Sequence, residues 1–160
     1  MKLALFDLDH TLLPIDSDYA WGEFTSQIGW TDSVSFKAKN DQFYADYLAG
    51  ALDIHDYVRF ATESVRLRGP EAAAKAHAQF MKEIILPQIK PQALELVKAH
   101  QAAGDHVMIV TATNEFVTRP IAQAFGVQEL IAVELARDSQ GWITGEIFGV
   151  PSFKEGKVLR

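Results

Sequence analysis

Residues 3–13, LALFDLDHTLL, set Asp7 and Asp9 in alternate positions at the end of a short apolar run, with Thr11 at the next alternate position. In extended backbone, residues i and i+2 point to the same side. The two carboxylates would therefore sit close together at a strand end. Like charges that close oppose each other's ionisation unless a cation or hydrogen-bond donors lie between them. The pairing points to metal-dependent phosphoryl transfer. In that chemistry Asp7, which ends the strand, attacks phosphorus as a carboxylate nucleophile and becomes an aspartyl-phosphate. Asp9 protonates the leaving oxygen and then takes a proton from the water that hydrolyses the intermediate. Mg²⁺, a hard ion that prefers oxygen ligands, suits a site of carboxylates (Asp7 and Asp9), waters and phosphate. A lysine would be wanted to hold the negative charge in place.

The surroundings allow such a site. The chain has 160 residues, 48% of them hydrophobic and 22% charged, which is enough for a sizeable core and ordinary for a soluble protein. There is no cysteine, so thiolate chemistry, thiolate zinc sites and disulfides are excluded. A net charge of −6 argues against a nucleic-acid backbone as partner, which needs clustered Lys and Arg. It does not argue against a small phosphate ester. Asp7 and Asp9 interrupt the N-terminal apolar run before a signal peptide could form. No run approaches the roughly 18 apolar residues of a membrane span. The expected setting is cytoplasmic, with a small phosphorylated metabolite as partner and neither nucleic acid nor membrane.

The elements that must position these residues can be read in order. Residues 2–8 have the texture of a buried strand. From Asp16 to about Leu86 the pattern is helical, with breaks at Gly29, Gly50 and Gly69-Pro70. All four tyrosines and five of ten phenylalanines fall there, and at helical spacing they read as the core of a small bundle. Phe36, Phe43, Tyr44 and Tyr47 form the expected apolar stripe of its second helix. After Pro87 the order becomes helix (91–103), strand (HVMIVTAT, 106–113), helix to Phe125, strand (LIAVELA, 130–136) and a hairpin arm (WITGEIF, 142–148). Alternation of this kind means a parallel sheet with right-handed crossovers. The expected fold is α/β, a three-layer Rossmann-like core of residues 1–15 and 87–160, with an α-helical cap, 16–86, inserted after the first strand. Ligands bind beyond the carboxyl ends of such strands. Asp7, Asp9, Thr111 and the start of the helix after Thr113 meet at that end, and a helix N-terminus is a natural phosphate seat.

These residues carry a resemblance. LALFDLDHTLL resembles the first motif of the haloacid dehalogenase superfamily, the DxDxT/V signature of its phosphatase branch. IVTAT is similar to the second motif, an apolar strand ending in a hydroxyl residue, here Thr111. The resemblance implies a third-motif lysine, which EGKVLR places at Lys157, with Lys154 the weaker choice. The inserted helices, the TGEIFG hairpin and the GK stretch resemble the subfamily that contains phosphoserine phosphatase. In that subfamily an acid at the mouth of the cap faces the substrate amine; Asp16 stands there, although it reads first as a helix N-cap. Thr11 is a candidate substrate contact or simply closes the turn.

One departure stands out. The superfamily's fourth motif, an acidic cluster of the GDxxxD type, supplies a further metal carboxylate, and nothing after Lys157 can provide it. The strand carrying it should lie beside the first strand, whose apolar edge is otherwise bare. The sequence is therefore expected to be a fragment of a longer chain; alternatively a partner chain covers the edge, as in a homodimer. The activity expected is Mg²⁺-dependent hydrolysis of a small, phosphoserine-like phosphomonoester. A phosphotransferase would use the same residues. A dehalogenase would have no use for Asp9 as leaving-group acid, and a phosphate-binding scaffold is expected only if 160 residues is the full length. The five histidines lack metal-ligand spacing, and Arg59, Arg66 and Arg68 read as solvated residues that could also meet a substrate anion.

Overall fold

The structure is a computed structural model and describes residues 2–156. Strand β1 (Leu3–Phe6) is followed by helices α1 (Ser17–Gln27), α2 (Ser33–Leu48), α3 (Ile54–Arg68) and α4 (Pro70–Phe80). Then come α5 (Pro91–Ala102), β2 (His106–Asn114), α6 (Glu115–Ala124), β3 (Glu129–Val133), β4 (Leu135–Arg137) and β5 (Ile143–Ile147). The fold is α/β and Rossmann-like. Among the described residues β1, β2 and β3 form one parallel sheet in the order β1-β2-β3, and β4 and β5 form a separate antiparallel hairpin. Register sets Phe6 beside Ile109 and Val110 beside Ile131.

Among the described residues β1 lies at the sheet edge, with Leu3 58% and Leu5 57% exposed, the bare apolar edge expected where no strand lies beside it. Buried Leu8 and Leu12, just after it, supply the core contacts. One expectation needs correction. LIAVELA is not one strand. Val133 ends the parallel pairing and Leu135 begins the hairpin, because one face of this run meets β2 and the next residues pair with β5.

The helical segment obeys its capping chemistry. Asp16, Asp32 and Asp53 each cap a helix by accepting backbone N–H bonds from its first turn. Gly69, at φ +83°, ends α3, and Pro70 starts α4. α4 runs on through a wide turn at Met81–Ile85, in agreement with the helical pattern expected to about Leu86. Of the expected stripe of α2, Phe36 and Phe43 pack against Phe60, whereas Tyr44 and Tyr47 are exposed. No helix among the described residues is long and apolar enough to cross a membrane.

An aromatic box joins this segment to α6. Trp21 of α1 stacks on His77 of α4 at 5.4 Å and meets Phe80 at 5.1 Å and Phe116 of α6 at 5.4 Å. His77 Nε2 lies 3.1 Å from the Val117 carbonyl, so the imidazole bridges α4 and α6. Burial holds the His77 pKa below its ordinary 6.5, although its backbone contacts oppose this. Below pH 6.5 the unfolded chain therefore takes up a proton that the folded protein refuses. Stability attributable to His77 is complete above 6.5 and drains as pH falls towards the lowered folded value. Urea midpoints between pH 8 and 5 should show this loss, and His77→Gln should flatten it.

A second junction lies on the hairpin, where α3 packs on β5. Arg59 forms a two-pronged contact with Glu146, Nε–Oε1 at 2.8 Å and Nη2–Oε2 at 3.1 Å. Arg66 lies over Gly145 and donates to the Arg59 carbonyl at 3.0 Å and to Thr62 Oγ1 at 3.3 Å. Gly145 sits at φ +92°, and a Cβ there would lie 2.8 Å from Arg66 Nε. Gly145→Ala should thus combine backbone strain with displacement of the guanidinium and cost about 1–3 kcal/mol in urea unfolding.

Candidate active site

Asp9 is the hub of the site. β1 ends at Phe6, and the chain turns through Leu8–Leu12 in a wide loop closed by Leu13 N–H donating to the Leu8 carbonyl at 3.0 Å. His10 takes the left-handed conformation (φ +56°) needed to make that turn, and its N–H donates to the Ile15 carbonyl. Leu8 points into the core, while Asp7 is exposed and Asp9 half-buried on the other side. This is the alternation expected of extended backbone, and Asp7 and Asp9 both keep extended dihedrals.

Donors from two other elements converge on Asp9. The Ser17 amide, at the start of α1, donates to Oδ1 at 2.7 Å. Thr113 Oγ1 donates to Oδ2 at 2.9 Å, and Thr111 Oγ1 reaches the same oxygen more weakly at 3.4 Å. Thr111 is buried, and its hydroxyl oxygen accepts from the Thr113 amide at 3.1 Å. The hydroxyl hydrogen is thus only loosely committed, as a phosphate contact would require. The β2–β3 register breaks between Val110 and Asn114, which frees residues 111–113 from regular pairing just where they meet Asp9.

The expected residues are distributed as follows. Asp7, Asp9 and Thr111 come to the carboxyl ends of adjoining parallel strands β1 and β2. Asp16 is taken up as the α1 cap, accepting from the Asp18 and Tyr19 amides at 3.0 Å each. Thr11 stays apart from the Asp9 cluster and lines an open groove with Phe6, Pro14, Lys90 and Leu96. Asn114 caps α6, its side chain accepting from the Val117 amide, which leaves Thr113 for Asp9. Lys157 lies outside the described residues. Lys154 Nζ donates to the Gly50 carbonyl at 3.1 Å. Arg59 and Arg66 are engaged at the hairpin, and Arg68 lies over the Trp30 ring.

Four residues were given no such role from the sequence. Thr113 sits two residues past Thr111 with the same side-chain chemistry, a usable signal. The Ser17 amide and the pair Asp18–Tyr57 had none, since backbone donors and contacts 39 residues apart are set by packing. Tyr57 of α3 donates its phenol to Asp18 of α1. Burial pushes the Asp18 carboxyl up to about 7; the Tyr57 bond opposes this, and the neighbouring charges of Asp16 and Asp9 add to it. Burial, followed by the charge of Asp18, also raises the Tyr57 phenol well above its ordinary value. Between 3.8 and about 7 folded Asp18 keeps a proton that the unfolded chain has lost, so its contribution to stability is full below 3.8 and drains as pH rises to about 7. Asp18→Asn should accordingly be more stable than the parent at pH 8, by about 1–3 kcal/mol, with the gap closing near pH 4; thermal melts at both pH values test this.

Among the described residues no three His, Cys, Asp or Glu side chains are grouped to share a metal ion. The strand-end acids are Asp7 and Asp9, and two carboxylates with water and phosphate are an ordinary donor set for Mg²⁺.

An acid pair and hydroxyls at the carboxyl edge of a parallel sheet stand where open α/β folds bind their ligands. A profile of the haloacid dehalogenase-like hydrolase family matches residues 4–160. A histidinol-phosphatase of Neisseria meningitidis serogroup C is 40% identical over 159 residues, spanning 99% of this chain and 72% of that protein. A crystal structure of a Bordetella pertussis Tohama I protein of unknown function superposes with a TM-score of 0.90 at 45% identity, covering 99% of this chain and 71% of that one. A phosphoserine phosphatase holding a phospho-aspartyl intermediate analogue shares the fold at a TM-score of 0.58 and 20% identity, over 93% of this chain and 63% of that one. The chain belongs to the haloacid dehalogenase-like hydrolase family. Within it, the chain is a hydrolase of phosphoric monoesters.

Proposed function

We propose that the protein hydrolyses a compact organic phosphomonoester through an aspartyl-phosphate on Asp7, with Asp9 as acid and base. The bond from Thr113 Oγ1 to Asp9 carries this reading, because it ties the acid after β1 to the hydroxyls at the end of β2. An Asp7 carboxylate oxygen attacks phosphorus and the ester oxygen leaves with a proton from Asp9. Asp9 then accepts a proton from water, whose oxygen attacks the aspartyl-phosphate and releases inorganic phosphate and Asp7. Asp9 is oriented for this by the Ser17 amide and the two threonine hydroxyls. Thr111 turns its loosely held hydroxyl to a phosphate oxygen, and Lys157 is the lysine assigned to balance the negative charge of the phosphate. Asp7 and Asp9 would hold Mg²⁺, which when bound screens the repulsion between carboxylate and phosphate.

Residues 16–86 act as a helical cap over a core of residues 1–15 and 87–160, limiting substrate size and excluding water during the first step. The similarity to a histidinol-phosphatase makes histidinol phosphate the first candidate, with phosphoserine-like esters next. The setting is cytoplasmic. The test is a panel of phosphomonoesters assayed for phosphate release with Mg²⁺ and with EDTA. Histidinol phosphate should give the highest kcat/KM and EDTA should abolish turnover. Equal rates across bulky and compact esters would overturn the cap's role, and rates unchanged by EDTA would overturn the metal's.

A further inference from the structure

We infer that Ser152 is a positioning residue for the phosphate seat, acting through Thr111 from a strap that also grips the helical segment. After β5 the chain returns across the end of β2. There the Ser152 side chain is wholly buried, and its hydroxyl donates to the Thr111 carbonyl at 2.7 Å, linking residues 41 apart. The location of this bond gives it weight. The β2–β3 pairing jumps from Val110 to Asn114, so the Thr111 peptide lies in the irregular stretch of β2. A buried carbonyl needs a partner, and Ser152 provides one from outside the sheet. A trans peptide is planar, with C=O and the next N–H pointing in opposite directions. Fixing the Thr111 carbonyl therefore fixes the direction of the Ala112 N–H, and it steadies the Thr111 hydroxyl that reaches Asp9.

The same strap holds on to the helices. Lys154 Nζ donates to the Gly50 carbonyl just past α2 at 3.1 Å, and Phe153 meets the Tyr47 ring at 6.3 Å. Its own turn is tight. The Phe153 amide bonds to the Pro151 carbonyl at 2.8 Å, and a Cβ on Gly156 would fall 1.8 Å from that same oxygen. Ser152 is thus seated by short-range geometry on one side and by the helical segment on the other. A shift of that segment would reach Thr111 through it.

This inference rests on the phosphatase reading, and the experiment separates the two. The full chain, its Ser152→Ala and its Ser152→Cys variants are assayed on p-nitrophenyl phosphate with Mg²⁺, with inorganic phosphate as competitive inhibitor. If Ser152 positions Thr111, Ser152→Ala should raise the phosphate inhibition constant and the KM about tenfold, as a small misplacement of a binding group does. The thiol of Ser152→Cys, a weak donor of similar shape, should recover part of that loss. Loss of folded protein alone lowers kcat but leaves both constants unchanged, so constants within twofold of the parent would overturn the inference while leaving the phosphatase reading intact. Should Ser152→Ala fail to fold, Ser152→Cys decides alone: a severalfold rise supports the inference and an unchanged constant overturns it. A parent protein that neither turns over the ester nor is inhibited by phosphate overturns both readings.

Discussion

Asp7→Asn should abolish hydrolysis of p-nitrophenyl phosphate, lowering kcat by at least about 10³-fold, because an amide cannot act as the attacking carboxylate. Asp7 follows the last residue of β1 and is exposed, so an isosteric amide changes little of the packing. A melting temperature taken beside the rate tells loss of fold from loss of chemistry. The loss can then be assigned to chemistry. A matching measurement follows the covalent step: the parent, quenched in acid during turnover of a ³²P-labelled ester, should carry label, and Asp7→Asn should carry none. A variant retaining a tenth of the parent rate would remove Asp7 from the nucleophile's role.

Asp9→Asn should cost about 10²–10⁴-fold in kcat, the range for losing a general acid–base. Here the geometry sharpens the expectation. Asp9 Oδ1 accepts from the Ser17 amide, so an asparagine must place its carbonyl oxygen there. Its NH₂ then faces Thr113 Oγ1, a hydroxyl that can accept as well as donate. The variant should fold with its bonds rearranged and without a proton to give. The defect should be larger for an alkyl phosphate than for p-nitrophenyl phosphate, whose phenolate leaves without help. Equal losses on both esters would indicate that Asp9 serves position or metal instead of proton transfer. Asp9→Ala should also be less stable by about 1–2 kcal/mol, since the Ser17 amide and the buried Thr111 hydroxyl lose their acceptor.

Both variants change residues that the sequence itself marks out. The two acids in alternate positions, the apolar run before them and the hydroxyl-ended second strand are local patterns. Helix boundaries were legible for the same reason, since Asp16, Asp53, Gly69 and Pro70 act on backbone groups within a few residues of themselves. The split of LIAVELA and the outward turn of Tyr44 and Tyr47 were not, because each depends on what packs beside the element.

The amino-acid order alone therefore determined the acid pair and the hydroxyl-bearing strand, which follow from period-two alternation and residue chemistry at short range, and the parallel topology, which follows from strands alternating with helices. Only the tertiary structure decided which donors surround Asp9. Thr113 donates from the stretch where the β2–β3 register breaks, Ser17 contributes a backbone amide that has no side-chain signature, and behind them Ser152 reaches the Thr111 carbonyl across 41 residues. The same holds for Asp18 and Tyr57, whose raised pKa values come chiefly from burial between helices. Such contacts are fixed by how helices and strands pack in three dimensions, and spacing along the chain carries no record of them.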